Sequence, residues 1–317
     1  MATHLQRTTD HPQQKREPDS PMSLLSEGCI AAVISCTTPH DACRLSLVSS
    51  IFKSAAESDA VWERFLPPEY QSIISMSSPC PPSSSSPSSL LCLPSKKELF
   101  LSLCDHPILI DDGKKAFSLD KQSGKKCYMI SARDLMIVWV DTPAYWRWTS
   151  LPGARFQEVA ELRDVCWLEI CGKISTCILS PGTDYTTYLV FKLTEGSYGF
   201  ECLPVEVHVG LVGSESQKQF VYLDAVRGRR MQYRLGRRAG LFNRSRSLGW
   251  QASLPSQNDG HHPKERGDRW LEVEIGDFYN AGNEDGELEM SILEVRAGNW
   301  KRGLIVQGIE IRPKQGK

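Results

Sequence analysis

Trp139, Tyr145, Trp146 and Trp148 fall within ten residues, with Asp141 and Pro143 between them. Indole and phenol rings offer large flat faces, each with one polar handle. Gathered at a polar bend, they have two physical uses. They brace the edge of a β-structure, or they stack on the flat face of a ligand. A pyranose suits the second use, because its C–H face is apolar while its rim of hydroxyls needs polar partners. Trp148, Trp167 and Trp270 lie on strand-like stretches and are expected in a core.

Covalent chemistry has weaker support. Glu272/Glu274 and Glu287/Glu289 supply the paired carboxylates that glycoside hydrolysis uses. Both pairs alternate strictly with apolar residues, which assigns them to the solvated face of a sheet. The sequence has no Gly-x-Ser-x-Gly elbow, no phosphate-binding loop and no dinucleotide glycine fingerprint. Its seven His show no helical pairing, and Cys166, Cys171 and Cys177 lack a second ligand pair for zinc. The expectation is a non-catalytic chain with no cofactor and no metal.

Composition narrows the partners. A formal net charge of −1 over 317 residues gives no bulk attraction to nucleic acid or to a membrane surface. No apolar run approaches the ~20 residues that cross a bilayer. The first residues lack the apolar stretch of a secretory signal. Cytoplasmic and/or nuclear residence is therefore expected, where thiols stay reduced and the eleven Cys act as small apolar residues. The basic run Arg227–Arg246, with Tyr233 and Phe242 interleaved, reads either as a contact for RNA, anionic lipid or an importin, or as a solvated loop between strands.

The elements that must position the aromatics come in two blocks. Residues 1–21 are polar and Pro-rich, and are expected to be disordered. Residues 22–68 carry a helical pattern in three parts. Ser26 caps a helix with Ile30, Val33 and Ile34 on its apolar face. Thr38-Pro39 starts a second, along which Leu45, Val48 and Phe52 recur. A third begins near Ser58, carries Val61, Trp62, Phe65 and Leu66, and ends at Pro67-Pro68. Helices this short are marginal alone, so they pack on the rest of the chain or form half of an interface. Residues 69–95 hold a Ser/Pro tract and read as a linker.

From Lys96 the pattern changes. A short helix places Leu99, Phe100 and Leu103 on one side, and Asp111-Asp112-Gly113 makes a turn. Short apolar alternations then recur between turn signals. Phe117–Leu119 and Cys127–Ile130 read as a hairpin, and Val165–Ile170 as a central strand buried on both faces. Thr186–Leu193, Val205–Leu211, Leu271–Ile275, Leu288–Ile292 and Leu304–Ile311 follow, with Gly308 a bulge. The fold class is α+β: a small helical module, then an antiparallel β-sandwich of jelly-roll-like kind over 96–317.

Two resemblances sit on these blocks. Leu25, Cys29-Ile30, Pro39, Asp41, Val48-Ser49, Phe52, Ser58-Asp59 and Val61-Trp62 stand in the order of an F-box, and residues 22–68 resemble one. Ser26 and Gly28 depart from its usual Leu-Pro opening and nearby Asp, while Glu27 keeps an acid there. The second block resembles the phloem protein 2 family of plant lectins, related to the tobacco agglutinin Nictaba, over about residues 96–313. Ala132-Arg133-Asp134-Leu135, Trp139 to Trp148, Val165-Cys166-Trp167-Leu168-Glu169-Ile170, Leu179-Ser180-Pro181-Gly182-Thr183, Gly286–Ser291 and Trp300–Pro313 carry it. The resemblance implies a substrate receptor of a cullin–RING ubiquitin ligase. Leu25, Ile30, Ile34, Leu45, Val48, Phe52 and Trp62 would meet the Skp-type adaptor. Trp139 and Trp146, seven residues apart, would meet a glycan such as one containing N-acetylglucosamine, carried by a target protein. The alternative is an intracellular lectin with no ligase role.

Overall fold

Ser or Thr hydroxyls start the first four helices of the computed structural model. The structure describes residues 25–77, 90–200, 204–214, 218–224, 262–282, 285–295 and 298–314. The expected tail 1–21, most of the Ser/Pro tract and the Arg227–Arg246 run lie outside them. Ser26 accepts from the Cys29 amide to open α1 (Glu27–Ile34), and Thr38 from Asp41 to open α2 (Pro39–Leu45). Ser49 accepts from Phe52 at α3 (Ser50–Glu57), and Ser58 from Ala60 at α4 (Asp59–Phe65). Each cap satisfies one of the amides that a helix start leaves without an internal partner.

Two expectations need correction here. The helix expected to run from Thr38 past Phe52 is two helices. Ser46 turns its hydroxyl back to the Cys43 carbonyl (2.7 Å) and Ser49 caps afresh, so local side-chain bonds outcompete continuation. Inside the expected linker, Tyr70–Ser75 forms α5 and buries Tyr70, Ile73 and Ile74.

The helices close over Trp62. Its indole N–H donates to the Ala56 carbonyl at 2.7 Å. Its ring packs edge-on to Phe65, with centroids 5.5 Å apart, and against Phe100 at 5.2 Å. Phe100 belongs to α6 (Lys96–Asp105), which rests on the first hairpin of the sandwich. Polar contacts reinforce the seam. The Lys96 amide donates to Asp59 (2.8 Å), Lys126 pairs with Glu69 (2.7 Å), and the His40 amide donates to the Gln122 carbonyl. One hydrophobic cluster therefore runs from Ile30 to Ile311.

The sandwich has two antiparallel sheets. The larger orders β1 (Ile108–Ile110), β2 (Lys115–Leu119), β3 (Lys126–Ser131), β14 (Arg302–Pro313), β8 (Thr183–Tyr198), β12 (Leu271–Asn280) and β11 (Lys264–Glu265). Within it, β5 (Trp146–Thr149) pairs with β6 (Val159–Leu162), and β6 with β14. The smaller orders β10 (Gln219–Val221), β9 (Val205–Leu211), β13 (Glu287–Glu294), β7 (Leu168–Ser175) and β4 (Met136–Ile137). Strand β14 is the axis: β8 lies along one side, β3 and β6 share the other, and it is buried almost throughout. The expected bulge is present, with the register shifting between Val306 and Gly308. A Cβ on Gly308 would collide with the Ile130 carbonyl oxygen, so the close approach of β3 needs glycine.

Four placements differ from expectation. The stretch Val165–Ile170 is strand only from Leu168; Val165 makes an isolated bridge to Lys301. Trp167 is 42% exposed, with its indole N–H on Glu169 (2.9 Å), so it is outside the core. Trp270 is fully buried, while Trp148 is half-buried beneath the Arg133 guanidinium, 3.7 Å from its ring. Glu272 is not a solvated carboxylate. Arg312 (2.6 Å) and Arg266 (3.0 Å) pair with it, and Glu310 joins the same cluster through Arg266 and Arg155. Alternation predicted its face correctly; the arginines sharing that face are distant in sequence.

The cluster sets an acid limit. Burial alone would raise the Glu310 carboxyl, but the Arg155 and Arg266 guanidiniums outweigh it and hold it at about 2, below its ordinary 4.5. A depressed folded-state value contributes stability above the ordinary value and loses it as pH falls from 4.5 towards 2. Denaturant unfolding across that window should show a steeper loss for the native chain than for Glu310→Gln; equal slopes would contradict the pairing.

Candidate functional site

The aromatic bend is built where β4 leaves the smaller sheet. Met136 and Ile137 pair with Cys171 and Ile170, and the Val138 amide donates to the Glu169 carbonyl (3.1 Å). The chain then turns on itself. The Thr142 amide reaches the Trp139 carbonyl (2.9 Å), and the Tyr145 and Trp146 amides reach the Thr142 carbonyl. Trp139 sits at φ +61°, the left-handed region that a bulky side chain occupies at a cost of about 1 kcal/mol. That conformation presents the indole outward, 46% exposed, with the Tyr145 ring 5.4 Å away and tilted by 42°.

Trp146 has a different place from the one its spacing suggested. It is 2% exposed, and its N–H donates to the Val138 carbonyl at 3.2 Å. On β5 the side chains alternate, so Trp146 faces the core while Arg147 faces solvent. The two Trp therefore do not form a shared platform: Trp139 offers a face, and Trp146 supports the bend from beneath. The side chains that add open surface along this edge are Tyr145, Met136 and Trp167. Met136 and Trp167 came without any distinctive spacing: Met136 lies on the two-residue edge strand β4, and Trp167 just before β7 begins.

A second surface lies on the front helices. Leu25, Val33, Leu47, Val48 and Ile51 are exposed apolar residues, Leu47 at 85%. Of the seven side chains expected to meet an adaptor, Leu25 and Val48 are open. Leu45 and Phe52 are half-buried against the core. Ile30, Ile34 and Trp62 are buried within it, so they hold the module together instead of presenting it. Val33, Leu47 and Ile51 were missed in that set. Leu47 lies in the break between α2 and α3, which a continuous helical period hides.

Among the described residues no group of His, Cys, Asp and Glu is arranged to hold a metal ion. No described helix is long and apolar enough to cross a membrane. Burial and a nearby Glu289 raise the Cys171 thiol, and burial raises Cys127 well above its ordinary value, so neither is an activated nucleophile.

Residues 125–313 match the family described as Phloem protein 2. The chain is 45% identical to Arabidopsis thaliana F-box protein At2g02240 over 298 residues, covering 94% of this chain and 82% of that one. It is 45% identical to F-box protein PP2-B1 of the same plant, over 93% of this chain and 91% of the relative. Putative F-box protein PP2-B12 is 47% identical over 92% and 97%. Among solved structures, the CBM22-1 xylan-binding domain from Paenibacillus barcinonensis Xyn10C aligns with 59% of this chain and 90% of its own. Its identity is 11% and its TM-score 0.28, too low to carry an argument.

The two tryptophans should separate on substitution. Trp146→Ala is expected to cost about 3–5 kcal/mol of folding stability, as deletion of a buried indole does. Trp139→Ala should stay within about 1 kcal/mol of the parent, because its face is open. Chemical denaturation of both measures this, and a reversed order would refute the assignment.

Proposed function

This chain belongs to the phloem protein 2 family, in the company of its F-box relatives, and we propose that it is the substrate-receptor subunit of an SCF-type cullin–RING ubiquitin ligase. The supporting observation is the apolar surface Leu25, Val33, Leu47, Val48 and Ile51, left open on and between the front helices, whose other large apolar side chains are buried or half-buried. Apolar side chains of this kind dominate the energy of protein interfaces. The Skp-type adaptor is their partner. The helices bind it through open Leu25 and Val48, edge residues Leu45 and Phe52, and the additional Val33, Leu47 and Ile51. Ile30, Ile34 and Trp62 act from inside by shaping that surface.

The sandwich selects the target. Trp139, with Tyr145 beside it, stacks on the apolar face of a sugar, and an N-acetylglucosamine-containing glycan on a target protein is the proposed ligand. Trp146 fixes the bend and makes no ligand contact. The chain itself performs no covalent step. It raises the effective concentration of a target near a ubiquitin-loaded enzyme. The setting is the cytoplasm or the nucleus.

The second reading is an intracellular lectin with no ligase role. The left-handed Trp139 favours it independently of the helices, since strained residues cluster at binding sites.

Co-precipitation with the adaptor separates the two. Leu47→Glu with Val48→Glu should abolish capture while leaving the melting temperature unchanged. Failure of the native chain to capture any adaptor would favour the lectin reading. Titration with a trimer of N-acetylglucosamine should show binding that Trp139→Ala removes. Absence of binding by the folded native chain would refute the glycan assignment.

A further inference from the structure

A cleft of about 480 Å³ opens beside the aromatic bend, lined by Arg147, Glu161, Arg163, Thr194, Tyr198 and Arg302, with Leu162 and two glycines completing it. Three guanidiniums face one carboxylate. Glu161 is already committed to Arg147 at 2.6 Å. The neighbouring Asp164 accepts from the Tyr198 hydroxyl at 2.8 Å. Arg163 gives one N–H to the Pro143 carbonyl, a long 3.4 Å contact. Among the described residues neither Arg163 nor Arg302 has a carboxylate within ion-pair distance. Three guanidiniums line the cleft against Glu161, with the Asp164 carboxylate just behind Tyr198, so the region keeps a positive excess, and Arg163 and Arg302 keep unused donors.

A second arginine cleft among the described residues gives a contrast. There Arg266 and Arg312 face Asp268 and Glu272 in matched numbers and pair with them. Arg133 and Arg155 are likewise paired, with Glu158 and Glu310. The excess in the first cleft is local. A backbone device also serves it: the register of β14 against β8 shifts between Arg302 and Leu304. Gly303 takes φ +82°, and a Cβ there would collide with Thr194 Oγ1 and lie 2.8 Å from Ser197 Cα. Such a bulge re-aims the side chain next to it, here Arg302.

We propose that this cleft binds a phosphoryl group. A phosphoryl group carries nearly two negative charges and several acceptor oxygens, matching two planar guanidinium forks. A single carboxylate has two oxygens, enough for one such fork. The phosphoryl group would belong to a phosphorylated side chain on the target protein. That source rests on the receptor reading above; the binding chemistry does not.

The test is calorimetric titration of the full chain at low salt with a blocked phosphoserine tripeptide, its unphosphorylated form, and methyl glucuronoside as a singly charged sugar acid. The phosphopeptide is expected to bind, less tightly as salt rises. The other two should bind far more weakly. Arg163→Gln and Arg302→Gln should each weaken binding about tenfold. Arg302→Lys should restore part of it, and Arg133→Gln, on a different face and already paired, should change nothing. Unchanged melting temperatures certify the folds. No phosphopeptide binding, undiminished binding by the Arg163→Gln/Arg302→Gln double variant, or equal affinity for the glucuronoside would each overturn the proposal. The assay contains neither adaptor nor N-acetylglucosamine, so its outcome is independent of those of the preceding tests.

Discussion

The contact between Trp62 and Phe100 is the joint on which the architecture depends. Four helices of seven or eight residues bury too little apolar surface to stand alone. Their shortfall is met by an aromatic side chain from α6, and α6 in turn sits on the first hairpin. The helical module and the sandwich therefore share a hydrophobic core. Lys126 and Glu69 cross the same seam, and the Lys126 side chain is nearly buried there. Glu69 has its carboxyl lowered: burial pushes the other way, but the Lys126 ammonium prevails. A charged pair held this way favours one orientation of the two modules over others.

Within the sandwich the corresponding constraint is β14. It receives β8 on one side and both β3 and β6 on the other, more partner strands than any other described strand has. Its bulges at Gly303 and Gly308 do different things. The second lets β3 approach closely, and the first turns a side chain towards the cleft.

Much of this was legible in the residues. Cap signals at Ser26, Thr38 and Ser58 marked true helix starts, because a hydroxyl bonding the local backbone is a short-range event. Alternation in Leu271–Ile275 and Leu288–Ile292 found real strands. What stayed hidden was long-range. The core position of Trp62 depends on Phe100, and the pairing of Glu272 depends on Arg312. The exposure of Trp167 depends on where β7 begins. The different exposures of Trp139 and Trp146 come from the left-handed backbone at Trp139 and from the alternation on β5, neither of which spacing encodes.

The shared core has a mechanical corollary. Two modules joined by a slack tether sample many separations, whereas two modules fused through packed rings keep one. On the proposed reading, the adaptor-facing helices and the cargo-facing bend then work as a calliper of fixed opening. Which lysines on a captured protein come within reach of the transferring enzyme would be decided by where they lie on that protein's own surface. Selectivity would thus be geometric as well as chemical, with the spacing set by an indole and a phenyl ring.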